Sequence, residues 1–405
     1  MNPNLKKLKP YPFERLAQLK AGCNPPADLD HIALSIGEPQ HEPPAFVIDA
    51  LHANSAGLAA YPQARGLPEL REAIANWLTR RFKLEEDQVS ADAHVVPVSG
   101  TREGLFSFVQ AVVDSETPLR EGAEPPLVLM PNPFYQIYEG AAYLAGAEPV
   151  YLNTTAESGF LPDIDSVDVE TWKRCRVLFI CSPGNPTGAT MDEAYFRRLI
   201  ELSDEHDFII ASDECYSELY YDENRPPEGL LGVCAKMGRS NFRNCVVFHS
   251  LSKRSNVPGM RSGFVAGDAD IMAGYLLYRT YHGCAMPIPS QLASVEAWNE
   301  DSHVAANRDL YRKKFDLARD ILGTVTSIEI PPAAFYLWME TPIDEEEFVR
   351  RLYDEQNLTL LPGSYLSRDT AQGNPGKRRV RISLVPDLER CEEALHRIRR
   401  FMETL

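Results

Sequence analysis

The run Arg176-Val177-Leu178-Phe179-Ile180-Cys181 passes into Ser182-Pro183-Gly184-Asn185-Pro186-Thr187-Gly188. A helical pattern over Met191–Glu205 follows, then Phe208-Ile209-Ile210-Ala211 and Ser212-Asp213-Glu214. Both apolar runs are short and rich in β-branched and aromatic residues, so they read as buried strands rather than helix. Strand, helix, strand in that order is the unit of a parallel sheet covered on both faces.

Outward from it, similar runs stand at His94–Val98, Leu127–Met130, Pro149–Leu152, Cys245–Phe248 and Gly263–Ala266, with helical patterns at Glu103–Val113 and Ile137–Leu144. Together they predict an α/β fold with a mainly parallel seven-stranded sheet between helices. Residues 1–45 read as an arm with a short helix at Phe13–Leu19, and helices follow at Ala45–Asn54 and Leu67–Phe82. Pro68 sits in the first turn of the latter, where proline is tolerated. A long helical stretch at Tyr275–Asn299 is interrupted by Pro287 and Pro289, and another helix covers Ala305–Ile321. Strands at Phe335–Met339, Leu358–Leu361 and Val380–Leu384, with helices at Glu345–Glu355 and Leu388–Glu403, give α+β patterning. The predicted division is an arm that joins the smaller domain (1–45), a large ligand-binding domain (46–290) and a small C-terminal domain (291–405).

The chain has 405 residues, enough for two or three domains at about 150 each. Apolar residues make up 44% and charged residues 24%, a globular balance that excludes general disorder. With 41 Lys+Arg against 58 Asp+Glu the net charge is −17, so nucleic acid is not an expected partner. The short basic run Lys377-Arg378-Arg379 reads as a solvated loop. Eight dispersed cysteines without a Cys-x-x-Cys pair, and no signal-like start, point to a reducing cytoplasm. No stretch approaches the ~20 apolar residues that cross a bilayer. Nine scattered histidines show no ligand spacing, so no metal is expected.

Four polar clusters follow strand-like runs: Ser99-Gly100-Thr101, Ser182–Gly188, Asp213-Glu214 and Ser250-Leu251-Ser252-Lys253. Open parallel sheets bind ligands beyond the carboxyl ends of their strands, so these clusters should converge. A lysine at a buried strand end either loses its proton readily or is covalently engaged; taken alone, Lys253 would more often be a snorkelling surface lysine. Ser250, Ser252 and Arg261 suit a phosphate. Asp213 wants a cation, either a protonated pyridine nitrogen or an ordinary arginine. Asn185, on its Pro/Gly turn, could present an amide to a ligand oxygen, with Tyr216 donating to the same atom. Ser99-Gly100-Thr101-Arg102 opens a helix and offers backbone N–H groups to an anion, or serves as a plain cap.

These residues, with Tyr61-Pro62, Gly66-Leu67, Pro131–Tyr138 and Val380-Arg381-Ile382, resemble the fold type I, pyridoxal-phosphate-dependent class I/II aminotransferases over nearly the whole chain. The resemblance implies an aspartate-aminotransferase-like fold and pyridoxal 5′-phosphate as cofactor. Lys253 would join the cofactor covalently, Asp213 would face its ring nitrogen, and Asn185 and Tyr216 its phenolic oxygen. Tyr135 would stack on the ring. Ser99, Gly100, Thr101, Arg102, Ser250 and Arg261 would hold the phosphate. Tyr61 would reach the phosphate of a neighbouring subunit, which implies a homodimer with shared sites. Arg381, Asn185 and the backbone at Gly37 would hold the substrate α-carboxylate.

Pro10–Leu16, Leu34–Pro39, Asn132–Ala142 and His249–Asn256 are similar to the bacterial succinyldiaminopimelate aminotransferases of lysine biosynthesis, which use 2-oxoglutarate as the partner oxo acid. Such a donor needs a second cation for its far carboxylates, and Arg15, Arg65, Arg102 and Arg279 are candidates. Ala333-Ala334 stands where relatives often carry glycine. Other readings are another aminotransferase of the class, a pyridoxal-phosphate carbon–sulfur lyase, or a non-catalytic regulator on this scaffold.

Overall fold

The computed structural model describes residues 1–116, 122 and 124–405. Seven strands form the main sheet: β1 (Val95–Val98), β2 (Leu127–Asn132), β3 (Glu148–Asn153), β4 (Cys175–Cys181), β5 (Ile209–Asp213), β6 (Cys245–Ser250) and β7 (Gly263–Gly267). Their order is β1-β7-β6-β5-β4-β2-β3. Only β7 runs antiparallel to its neighbours β1 and β6; the remaining pairs are parallel. The mainly parallel sheet expected from the alternation is therefore the sheet that forms.

Both faces are buried, as alternation along β4 shows. Leu178 and Ile180 pack into one apolar cluster with Trp77, Phe196 and Leu199. Val177 and Phe179 pack into another with Phe108, Tyr138 and Tyr275. Burying side chains of this size contributes about 1.5–3 kcal/mol each before chain entropy is counted.

A second, smaller layer holds β8 (Tyr336–Glu340), β9 (Leu361–Pro362) and β10 (Arg379–Ser383), antiparallel in the order β9-β10-β8. Phe315, Leu337, Phe348, Leu395 and Phe401 fill its core together with Leu16, Ile32 and Leu34 from the other end of the chain. Ile32–Ala33 pairs with Leu358–Thr359, which is how the N-terminal segment is drawn in.

Two expectations change. Tyr275–Asn299 is not one interrupted helix but two, Ala269–His282 and Ile288–Asn299. Gly283, at φ 77°, ends the first, and Pro287 caps the start of the second. The second packs Ala293, Ala297 and Trp298 into the core of the large sheet. The strand expected at Leu358–Leu361 is divided, because Leu358–Thr359 pairs with the N-terminal segment and Leu361–Pro362 with β10. No helix among the described residues is long and apolar enough to cross a membrane.

Candidate active site

The tips of β1, β4, β5 and β6 open onto one cavity of about 600 Å³, closed on its other side by Ile36–Glu38, Tyr336 and Arg381. Convergence follows from parallel pairing, which brings the carboxyl ends of β4, β5 and β6 side by side.

Ser250 ends β6, and its hydroxyl accepts from the backbone N of Ser252 at 3.1 Å, starting the short turn that carries Lys253. The Lys253 ammonium donates to the carbonyl of Gly37. Burial pushes its pKa down to about 8; Arg381 and Arg261 add to the effect, while Cys215 and Glu38 oppose it. A Cβ at Gly37 would lie 2.0 Å from the Tyr336 hydroxyl, so a larger residue there would displace that ring.

Asp213 ends β5 and is 5% exposed. Its carboxylate accepts from the Tyr138 hydroxyl at 2.6 Å and from the backbone N of Cys215 at 3.3 Å. Burial raises its pKa, and these bonds oppose the rise. Among the described residues, no arginine or lysine pairs with it. The ordinary Arg partner considered from sequence is therefore not what Asp213 has.

Arg381 projects from β10, 4% exposed. It donates to Asn185 Oδ1 at 2.9 Å and to the Ser35 carbonyl at 2.6 Å, and lies 4.6 Å over the Tyr336 ring. No carboxylate among the described residues accepts from it. The Tyr216 hydroxyl stands 2.8 Å from that of Tyr336, and burial raises its pKa well above the ordinary tyrosine value.

Arg261 donates to the Pro258 carbonyl at 2.8 Å and the Ser99 carbonyl at 3.3 Å. Gly100, at φ +83°, leaves it room; a Cβ there would lie 2.2 Å from Arg261 Nη2. Ser99 and Gly100 thus back Arg261 rather than line the cavity. Thr101 does line it, and its hydroxyl accepts from Cys215 Sγ at 3.1 Å. Arg102 donates to the hydroxyls of Tyr135 at 2.7 Å and Tyr11 at 3.0 Å, and all three face the cavity.

Tyr61 is 99% exposed and lies outside the cavity. Of the four arginines considered for a distal carboxylate, only Arg102 lines it. Arg15 lies over the Tyr365 ring at 3.8 Å and pairs with Glu346, Arg65 pairs with Asp92, and buried Arg279 pairs with Glu103. The fold also brings Glu103, His282 and Cys284 ligand atoms within 4.8 Å of one another, a grouping the sequence spacing hides, although Arg279 already occupies the Glu103 carboxylate.

The cavity thus combines a lysine that deprotonates readily, a buried carboxylate without a cationic partner, and an arginine beside hydroxyls and a helix start. That set suits a phosphorylated, aldehyde-bearing pyridine. The family model described as Aminotransferase class I and II matches residues 30–398. The chain belongs to this family. Class I and II aminotransferases depend on pyridoxal 5′-phosphate, so the donor set and the family agree. The chain is 33% identical over 401 residues to the LL-diaminopimelate aminotransferase of Nitratidesulfovibrio vulgaris, covering 97% of each. Among solved structures, an aminotransferase from Neisseria meningitidis matches with 48% identity and a TM-score of 0.93, covering 99% of this chain and 100% of that one. The aspartate aminotransferase of Thermotoga maritima matches at 25% identity with a TM-score of 0.85 over 100% of both chains.

Tyr11, Glu38, Tyr138 and Tyr336 are site residues that no sequence motif assigned. Tyr138 carried a signal, since it stands one helical turn after Tyr135. Tyr11 and Tyr336 reach the cavity only through the tertiary fold.

Proposed function

We propose that this aminotransferase takes its amino group from N-succinyl-LL-diaminopimelate and passes it to 2-oxoglutarate. The observation that carries the reading is Arg102: it shares the cavity with Arg381, and no carboxylate among the described residues pairs with it. A donor and an acceptor that both end in carboxylates use both guanidinium groups.

When bound, the cofactor supplies an aldehyde for the amino group and a ring that withdraws electrons. Lys253 holds it and, once its amine is free, moves a proton from the donor Cα. Burial has already lowered the cost of that free amine. Asp213 would keep a proton on the ring nitrogen, because a buried carboxylate with no cationic partner among the described residues favours a cation beside it. Tyr138 holds the carboxylate in its ionised form and aimed. Asn185 accepts from Arg381 through Oδ1, which leaves its NH₂ donors free for the phenolic oxygen that Tyr216 would also meet. Thr101, Ser250 and Arg261 would hold the phosphate, Tyr135 would face the ring, and Arg381 would take the α-carboxylate with the Gly37 segment alongside.

A second reading has LL-diaminopimelate itself as donor. Glu38 on the cavity wall could receive the far ammonium that a succinyl group removes, and the relatives named above carry that activity. We place a second copy of the chain over the exposed Leu58, Tyr61, Leu277 and Tyr281, where Tyr61 would complete the neighbour's phosphate site. The enzyme would work in the cytoplasm.

The test is a spectral half-reaction of the cofactor-loaded enzyme. N-succinyl-LL-diaminopimelate should react with kcat/KM at least about tenfold above LL-diaminopimelate, aspartate or aromatic donors, the worth of one charged contact. A faster reaction with LL-diaminopimelate selects the second reading; ammonia and pyruvate from cystathionine select a lyase.

A further inference from the structure

We propose that Lys314 is a positioning residue for transamination: through His41 and Asn307 it ties together the segments that carry Gly37, Arg381 and Lys253. The inference rests on the roles given above to those three residues.

Lys314 lies on the helix Ser302–Leu322 and is 1% exposed. Its ammonium donates to His41 Nε2 at 2.6 Å, the Leu384 carbonyl at 3.1 Å and the Val385 carbonyl at 3.4 Å, so all three N–H bonds are used. An ammonium has no lone pair, so His41 Nε2 is the acceptor and the ring proton sits on Nδ1. Nδ1 then donates to Asn307 Oδ1 at 2.7 Å. The same oxygen accepts from Asn256 at 3.1 Å, and Asn307 Nδ2 donates to the Lys253 carbonyl at 3.5 Å. The chain of donors thus runs in one direction, from ammonium to imidazole to amide to the main chain of Lys253.

Ring contacts follow the same route. His41 packs on Tyr311 at 4.6 Å, Tyr311 stacks on Phe335 at 5.4 Å, and Lys253 Nζ stands 5.3 Å from the Phe335 ring. His41 shares its segment with Gly37, the acceptor for Lys253. Leu384 follows Arg381 out of β10, and Ser383 N donates to the Leu34 carbonyl at 2.8 Å. One buried cation therefore holds a corner where three site segments meet.

Among the described residues no carboxylate contacts Lys314, and a buried ammonium so placed is a poor device for stability alone. Burial pushes Lys314 down to about 8, against the opposing fields of Cys391 and Asp387, and pushes His41 down to about 4 with Lys314 adding to the effect. Between those limits the ammonium is charged and the imidazole neutral, which is the state the donor chain requires.

The experiment is hydrogen exchange and turnover on the cofactor-loaded enzyme. In Lys314→Met and in His41→Leu, amides of 34–42 and 381–387 should exchange about tenfold faster or more while β4–β6 keep their protection. Turnover should fall about tenfold with little change in donor KM, as expected when catalytic groups lose alignment. His41→Gln should restore both, because glutamine can accept from Lys314 and donate to Asn307. Unchanged exchange at 34–42 in His41→Leu, or equal damage in His41→Gln and His41→Leu, overturns the proposal. If Lys314→Met loses protection everywhere, the His41 pair decides alone. If exchange responds as stated while Lys253→Ala keeps normal turnover, the tie stands and the site reading falls.

Discussion

The two walls of the cavity are built by opposite means. The sheet wall is made of strand tips, where Asp213, Ser250 and Lys253 follow directly from buried apolar runs whose pairing fixes their spacing. The facing wall gathers Tyr11, Gly37, Tyr336 and Arg381 from both ends of the chain, joined by the Ile32–Leu358 pairing and by β8 and β10. Rigid neighbours suit groups that must hold a cofactor through a cycle; pieces drawn from a smaller layer suit groups that receive a changing substrate. On the proposed function, chemistry falls to the first wall and recognition to the second.

Mutations can break that assignment. The largest effect should come from Asp213→Ala. Loss of its charge should cut kcat about 10³-fold for every donor, the scale of removing a preorganised electrostatic group. A loss confined to one donor would move Asp213 out of the chemistry. Arg381→Ala should reduce kcat/KM about 10²-fold, mainly through KM and again for every donor, because a buried guanidinium no longer meets the α-carboxylate. Stopped-flow half-reactions read this directly, and an unchanged KM would remove Arg381 from recognition.

Arg102→Ala tests where the two walls meet, since Arg102 follows a strand tip of the sheet wall but bonds Tyr11 of the other. It should cost about tenfold in kcat/KM for donors with a far carboxylate and nearly nothing for alanine. Equal losses for both would place Arg102 on the cofactor instead. The smallest effect should be that of Tyr138→Phe, about fivefold in kcat, from one lost hydrogen bond to Asp213.

The pH dependence follows from Lys253. Its folded pKa, about 8, lies below the ordinary lysine value of 10.5, so its free amine grows as pH rises through about 8. At pH 7 roughly a tenth is unprotonated, against well under a thousandth for an ordinary lysine. Uptake of cofactor by the stripped protein should climb with pH and level off above about 8; a rise continuing toward 10.5 would show that burial does not act on this amine.

The contrast also explains what was legible. The strands of the large sheet could be read because parallel strands buried on both faces are nearly continuous apolar runs. Their ends were read short: β5 continues through Ser212 and Asp213, and β6 through His249 and Ser250, polar residues that hydropathy excludes from a strand. Asp213 and Lys253 are legible as motifs on or just past those ends, and Arg381 as a charge inside the apolar run Val380-Arg381-Ile382. Tyr336 was not, since its role depends on the close approach of Gly37 and on the Tyr216 hydroxyl, contacts that no local pattern encodes. The split at Leu358–Leu361 is hidden for a like reason, because a short apolar run does not name its partners. Arg279 looked free in sequence and is spent on Glu103.

If the proposed function is right, the Lys253 amine, in the cavity it shares with Asp213, is the group that holds the cofactor. Borohydride reduction of the cofactor-loaded enzyme followed by peptide mapping tests it most directly. The reduced cofactor should be found on the peptide containing Lys253 and be missing from Lys253→Ala; label on a different lysine, or undiminished label in the variant, would contradict the account.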